Sequence, residues 1–139
     1  SNKKFLLHSR ARAEVVSTGI DYDEVTYDEM LNIVDLNGMA AVDINGIINI
    51  VPANYIKQYP IPLVKNDDEV EHGSLWVTKV INVGNLKVNP LVPILRSLVR
   101  VNGHLATHGE TNSMVIVAPY NSVKRIEAIV NELKQKNKS

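Results

Sequence analysis

The chain has 139 residues, 45% of them hydrophobic, with fifteen basic and fifteen acidic side chains and no cysteine. That length and apolar content fit one ordinary domain or two small ones, each with a packed core. The cancelled charge gives no electrostatic footprint of a nucleic-acid binder or a polybasic membrane clamp, and the missing thiols exclude disulfides and thiolate chemistry. No apolar run approaches the roughly 18 residues of a bilayer-crossing helix, the longest being broken by Asn49, Pro52 and Pro93.

In chain order, Glu14 to Ser17 is a β-branched run that reads as a strand. Tyr27, Met30, Leu31 and Val34 then recur at helical spacing, with Thr26 and Glu29 placed as a capping box and Gly38 placed to end the helix. "MAAVDI" and "IINIVP" follow, joined by Asn45-Gly46, a pair that suits a tight hairpin because both turn positions need positive φ. Residues 54–73 carry prolines, an acidic cluster and a glycine, which predicts a linker that runs extended and joins no central strand.

A second unit begins with "LWVTKVIN", which points Leu75, Val77, Lys79 and Ile81 one way and Trp76, Thr78 and Val80 the other. A helix is predicted from Asn89 as N-cap, with Pro90 first inside it, Pro93 still in its first turn and Gly103 at its end. Its stripe is Val88, Leu91, Val92, Leu95, Leu98 and Val99. "HLATH" and "SMVIVAP" make a hairpin, and a last helix from Asn121 places Val123, Ile126, Ile129, Val130 and Leu133 on one face. "LNGMAAVDINGIINIVPANYIK" and "VNGHLATHGETNSMVIVAPYNSVK" thus repeat one phrase: helix stop, hairpin, exit through proline. The fold class is α+β, built as two small modules: a partial βαββ unit over 1–53, the linker 54–73, and a KH-like βαββα unit over 74–136.

No residue set commands chemistry. His104 and His108 have the spacing of two zinc ligands on a helix, but on a strand four residues span about 13 Å, too far for one ion. The groups Asp21, Asp23, Glu24 and Asp67, Asp68, Glu69 lack the alternating spacing of a calcium loop. Nucleophile-elbow, phosphate-loop and dinucleotide signatures are missing from the sequence. The expectation is therefore no catalytic residue, no cofactor and no metal. What stands out is surface: Ile94 and Val101 widen the apolar arc of the helix from Asn89 to about 180°, against the ~100° a surface helix needs. Either the last helix of the same unit or a neighbouring subunit covers that shoulder. An open strand edge near Val15 and Val16 is a second candidate interface.

"YDEMLNIVDLNGMAAVDINGIINIVPA" resembles the second half of the first periplasmic domain of the secretins of type II secretion systems. "VTKVINVGNLKVNPLVPILRSL" followed by "TNSMVIVAPYNSVKRIEAIV" resembles the KH-like domain that follows it. The resemblance implies a scaffold piece on the periplasmic side of the bacterial outer membrane. It implies a homo-oligomeric ring, partnership with the inner-membrane platform component and with secreted folded proteins, and membrane contact only through a separate C-terminal channel domain. It also implies a first domain lacking its front half, and hence self-association through the first fifty residues. The alternative is a KH-type module binding single-stranded nucleic acid, against which the G-x-x-G loop between helices is missing from the sequence.

Overall fold

In the computed structural model, which describes residues 4–7, 31, 38–66, 70, 72–99 and 102–137, the Asn45–Gly46 turn folds as its sequence requires. Both residues have positive φ, 54° and 86°, and the Gly46 N–H donates to the Asp43 carboxylate at 2.9 Å. The turn joins β2 (Met39–Ile44) to β3 (Ile47–Pro52) in an antiparallel pair. β1 (Lys4–Leu7) lies parallel to β3 on its other side, giving a three-stranded sheet in the order β1-β3-β2. Sequence patterning does not announce β1, four residues with no turn signal. The strand expected over Glu14 to Ser17, and Tyr27, Met30 and Val34, lie outside the described residues. Leu31 is helical and fully buried.

The segment read as a linker is built into the fold along its described length. Ala53–Gln58 forms a 3₁₀ helix that buries Ile56. The chain then runs extended, and Pro62 to Val64 lie parallel to β4 (Trp76–Asn82). The Thr78 N–H donates to the Pro62 carbonyl at 2.8 Å and the Val64 N–H donates to the Thr78 carbonyl at 2.9 Å. Prolines permit this because the segment sits at an edge, where one missing donor interrupts no ladder.

After β4 come α1 (Val88–Arg96), β5 (His104–His108), β6 (Ser113–Pro119) and α2 (Tyr120–Asn137). The βαββα order holds, with strands arranged β4-β6-β5 and both pairings antiparallel. α1 packs over β5, and α2 packs over β4 and β6. Val77, Ile81, Leu105 and Ile116 of the sheet meet Leu91 and Leu95 of α1 and Val123, Ile126 and Val130 of α2 in one core. Each such side chain contributes about 1.5–3 kcal/mol when fully buried. Lys79 shares this face, and its ammonium pairs with Glu127 of α2 at 3.1 Å.

α1 departs from its sequence reading at both ends. It starts at Val88 with Lys87 as N-cap residue and no cap from its own side chain. The cap comes from the β5–β6 turn: Asn112, at φ 51°, accepts from the Val88 N–H through Oδ1 at 3.1 Å. Pro93 consequently lies in the second turn, where it withholds the N–H that would bond the Asn89 carbonyl on the solvent side. The helix stops at Arg96, well before Gly103; the Leu98 and Val99 amides bond three residues back, and Ser97 Oγ donates to the Ile94 carbonyl at 2.8 Å. Tightened bonding of this kind is how a helix end satisfies its last carbonyls.

The outer face of β4 joins the two units. Trp76 is 2% exposed, packed among Ala40, Val42 and Val51 of the first sheet and Ile56 of the 3₁₀ helix. Leu75 also bridges to Ala41 of β2.

Candidate functional site

β4 and β6 turn one side of the second sheet toward the helices; the first unit covers the other side at Trp76 and leaves it open toward Val80. The registers place Thr78, Val117 and His104 in one row across it and Val80, Val115 and Ala106 in the next. Val80 is 51% exposed. The row of Thr78 floors a shallow groove of about 330 Å³ whose walls are Lys57, Tyr59 and Ile61 on one side and His104 on the other. Thr78 Oγ1 donates to the Ile61 carbonyl at 3.2 Å, so this hydroxyl fastens the wall of the groove and is not held toward His104. A second cleft, about 220 Å³, is lined by Asp43, Pro62, Leu63, Val70 and Trp76 among others.

The histidine pair is placed as a strand requires. His104 and His108 are both exposed on β5, and His108 Nδ1 lies 2.8 Å from Thr111 Oγ1. Among the described residues no group of three or more His, Asp or Glu gathers as a metal site, and no helix is long and apolar enough to cross a membrane.

Of the four residues singled out as interface candidates, Ile94 is placed on the solvent side of α1, 58% exposed. Pro90 and Pro93 stand exposed beside it. α2 therefore does not cover this shoulder, and among the described residues the ridge Pro90–Pro93–Ile94 has no partner. Val101, Val15 and Val16 lie outside the described residues. Sequence reading passed over Val80 because alternation placed it on an outer face without saying whether that face is covered; Trp76, four residues earlier on the same face of β4, is buried.

Comparison with known proteins gives the chain relatives. No family model matches the chain. It is 27% identical over 110 residues, 77% of its length, to "Secretin GspD 2" of Escherichia coli O78:H11. It is 25% identical over 129 residues, 91% of its length, to "Secretin GspD" of Vibrio cholerae serotype O1. Among solved structures, a chain of the Klebsiella pneumoniae type II secretion system outer membrane complex, which holds PulD, PulS and the PulC HR domain, matches 95% of this chain with a TM-score of 0.70 at 22% identity. The chain is homologous to the N-terminal domains of secretins. It spans 16 to 19% of those two relatives and 23% of the Klebsiella chain, so it corresponds to a small part of a secretin. The α+β architecture of two small sheets with helices agrees with that part.

Proposed function

We propose that this secretin homologue builds the wall of a periplasmic ring below an outer-membrane channel through which a type II secretion system exports folded proteins. The similarity of nearly the whole chain to secretins supports this reading. A cyclic ring of identical subunits needs heterologous contacts, one face of a module meeting a different face of the next. The second module offers two such faces on opposite sides of its sheet: the α1 ridge around Ile94, and the open sheet face around Val80. The observation that carries the reading is the exposure of Ile94, a large apolar side chain flanked by two exposed prolines on a helix whose other side is fully packed. In this reading the chain is scaffold, without catalysis or resident metal. Its partners are other secretin subunits, the inner-membrane platform component and the exported proteins, and its place is the periplasmic side of the outer membrane. Val15, Val16 and Val101 stay in the proposal as further interface residues. The nucleic-acid reading gains nothing: Gly109 to Asn112 form the turn between β5 and β6, not a loop between helices.

The test is Ile94→Glu, in this chain and in the full-length protein. The substituted chain keeps its far-ultraviolet circular dichroism, because Ile94 touches solvent, while the full-length protein loses its multimer in light scattering. An unfolded chain, or an undiminished multimer, contradicts the assignment of this ridge.

A further inference from the structure

The groove floored by the row of Thr78 has walls of fixed spacing. On one side the chain leaves the 3₁₀ helix at Gln58 and runs extended through Tyr59 and Ile61, with Pro60 and Pro62, each locked in φ, on either side of Ile61. Thr78 fastens this wall twice, through its hydroxyl to the Ile61 carbonyl and through its N–H to the Pro62 carbonyl. On the other side His104 opens β5 in the row of Thr78 and Val117, so two strand spacings, together roughly 9.5 Å, separate the walls at the level of the sheet. Along the strands the groove is closed at one end and open at the other. Trp76, two residues before Thr78 on the same face, is covered by the first unit, against which Tyr59, Ile61 and Val117 also pack; Val80, two residues after Thr78, is 51% exposed. A segment that enters over Val80 therefore comes to a stop over the row of Thr78.

The side chains at this closed end are sorted by chemistry. Ile61 and Val117 are apolar, and every polar one can donate a hydrogen bond: the Lys57 ammonium, the Tyr59 hydroxyl and a ring N–H of His104, with the Thr78 hydroxyl already given to Ile61. None of the described residues lining the groove is a carboxylate, in a chain whose acidic and basic side chains are equal in number. Among the described residues, the side chains of Lys57, Tyr59 and His104 have no hydrogen bond or ion pair. We propose that the groove captures the carboxyl terminus of a partner protein whose last residue is apolar. The last side chain rests on Val117 and Ile61, and the terminal carboxylate takes the donors of Lys57, Tyr59 and His104. Charge complementarity requires an anion, the apolar floor requires a side chain beside it, and the closed end requires a chain that stops. A terminal residue meets all three, because its carboxylate and its side chain share one Cα; capture of chain termini by convergent donors is a recurring mode of recognition. A glutamate or aspartate inside a chain needs main chain on both sides, and the first unit blocks one of them. At about 330 Å³ the groove is at the small end of ligand sites, which suits a single residue. The inference goes beyond ring assembly and does not depend on it.

The experiment titrates the chain with an acetylated glycine-serine peptide that ends in leucine with a free carboxylate, and reads amide shifts by nuclear magnetic resonance. Three counterparts accompany it: the same peptide amidated at its end, one ending in serine, and an amidated one with glutamate in its interior. The expected result is shifts at Ile61, His104 and Val117 with the leucine acid and about tenfold weaker binding of its amide. The serine acid binds more weakly than the leucine acid, since it leaves the apolar floor uncovered, and the interior glutamate does not shift these amides. Lys57→Gln, at an exposed position, removes most of the preference for acid over amide and keeps the preference for leucine over serine. Equal binding of acid and amide, equal binding of the interior glutamate, shifts that leave out His104 and Val117, or no binding of the leucine acid at about 1 mM overturns the proposal.

Discussion

Asn112 joins the β5–β6 turn of the second module to the start of α1. Its left-handed backbone closes the β5–β6 turn, and its amide reaches three groups on the far side of the helix entry. Oδ1 accepts from Val88, and Nδ2 donates to the Gly84 carbonyl at 2.8 Å and to the Leu86 carbonyl. Asn112→Gly keeps the backbone conformation and removes all three bonds, so it isolates their worth. At about 1 kcal/mol per bond, and with part of the loss returned by water, a cost of about 2 kcal/mol is expected in urea denaturation. Asn112→Asp retains the acceptor and is expected to lose less. The Lys79–Glu127 pair makes the opposite case, because its two side chains are only 12% and 21% exposed. Glu127→Gln leaves a largely buried ammonium without its carboxylate and is expected to lower stability by about 1–2 kcal/mol. Lys79→Met is expected to change it by less than about 1 kcal/mol, since removing a buried charge also removes its desolvation cost.

Elements whose cause is local were legible in the sequence, and elements completed from elsewhere were not. The β2–β3 hairpin is specified by two adjacent residues, and it formed at those residues. Gly46→Val puts a β-branched side chain at φ 86°; the expected loss is about 1–2 kcal/mol, measured by thermal unfolding. α1 was read two residues late because its cap is Asn112, which is adjacent in space and 24 residues away in sequence. Its apolar stripe was read correctly, since periodicity survives an error at the ends. β1 escaped notice because its partner is a parallel strand some forty residues on, so no turn chemistry marks it. The width of the apolar arc singled out Ile94, which the fold leaves 58% exposed, while the share of the outer face of β4 that the first sheet covers depends on packing between the units, which no side-chain pattern encodes.

At the scale of the molecule, Trp76 ties the two sheets together from within the second module's first strand, and the segment 59–66 straps β4 on the same side. Such a joint predicts one cooperative unfolding transition, in which tryptophan fluorescence and circular dichroism change together. Trp76→Ala, which removes the chain's single tryptophan, is expected to cost about 3–5 kcal/mol, read by circular dichroism alone; a native chain that already unfolds in two steps contradicts the joint. A rigid two-sheet unit also suits a wall, because subunits that hold their shape can repeat a contact around a circle. The most direct measurement is electron cryomicroscopy of the full-length protein extracted from outer membranes. The account predicts closed rings in which residues 74–136 of neighbouring subunits form a continuous belt, with Ile94 turned into the contact between them. Particles that are monomeric, or rings in which Ile94 faces solvent in every subunit, would contradict it.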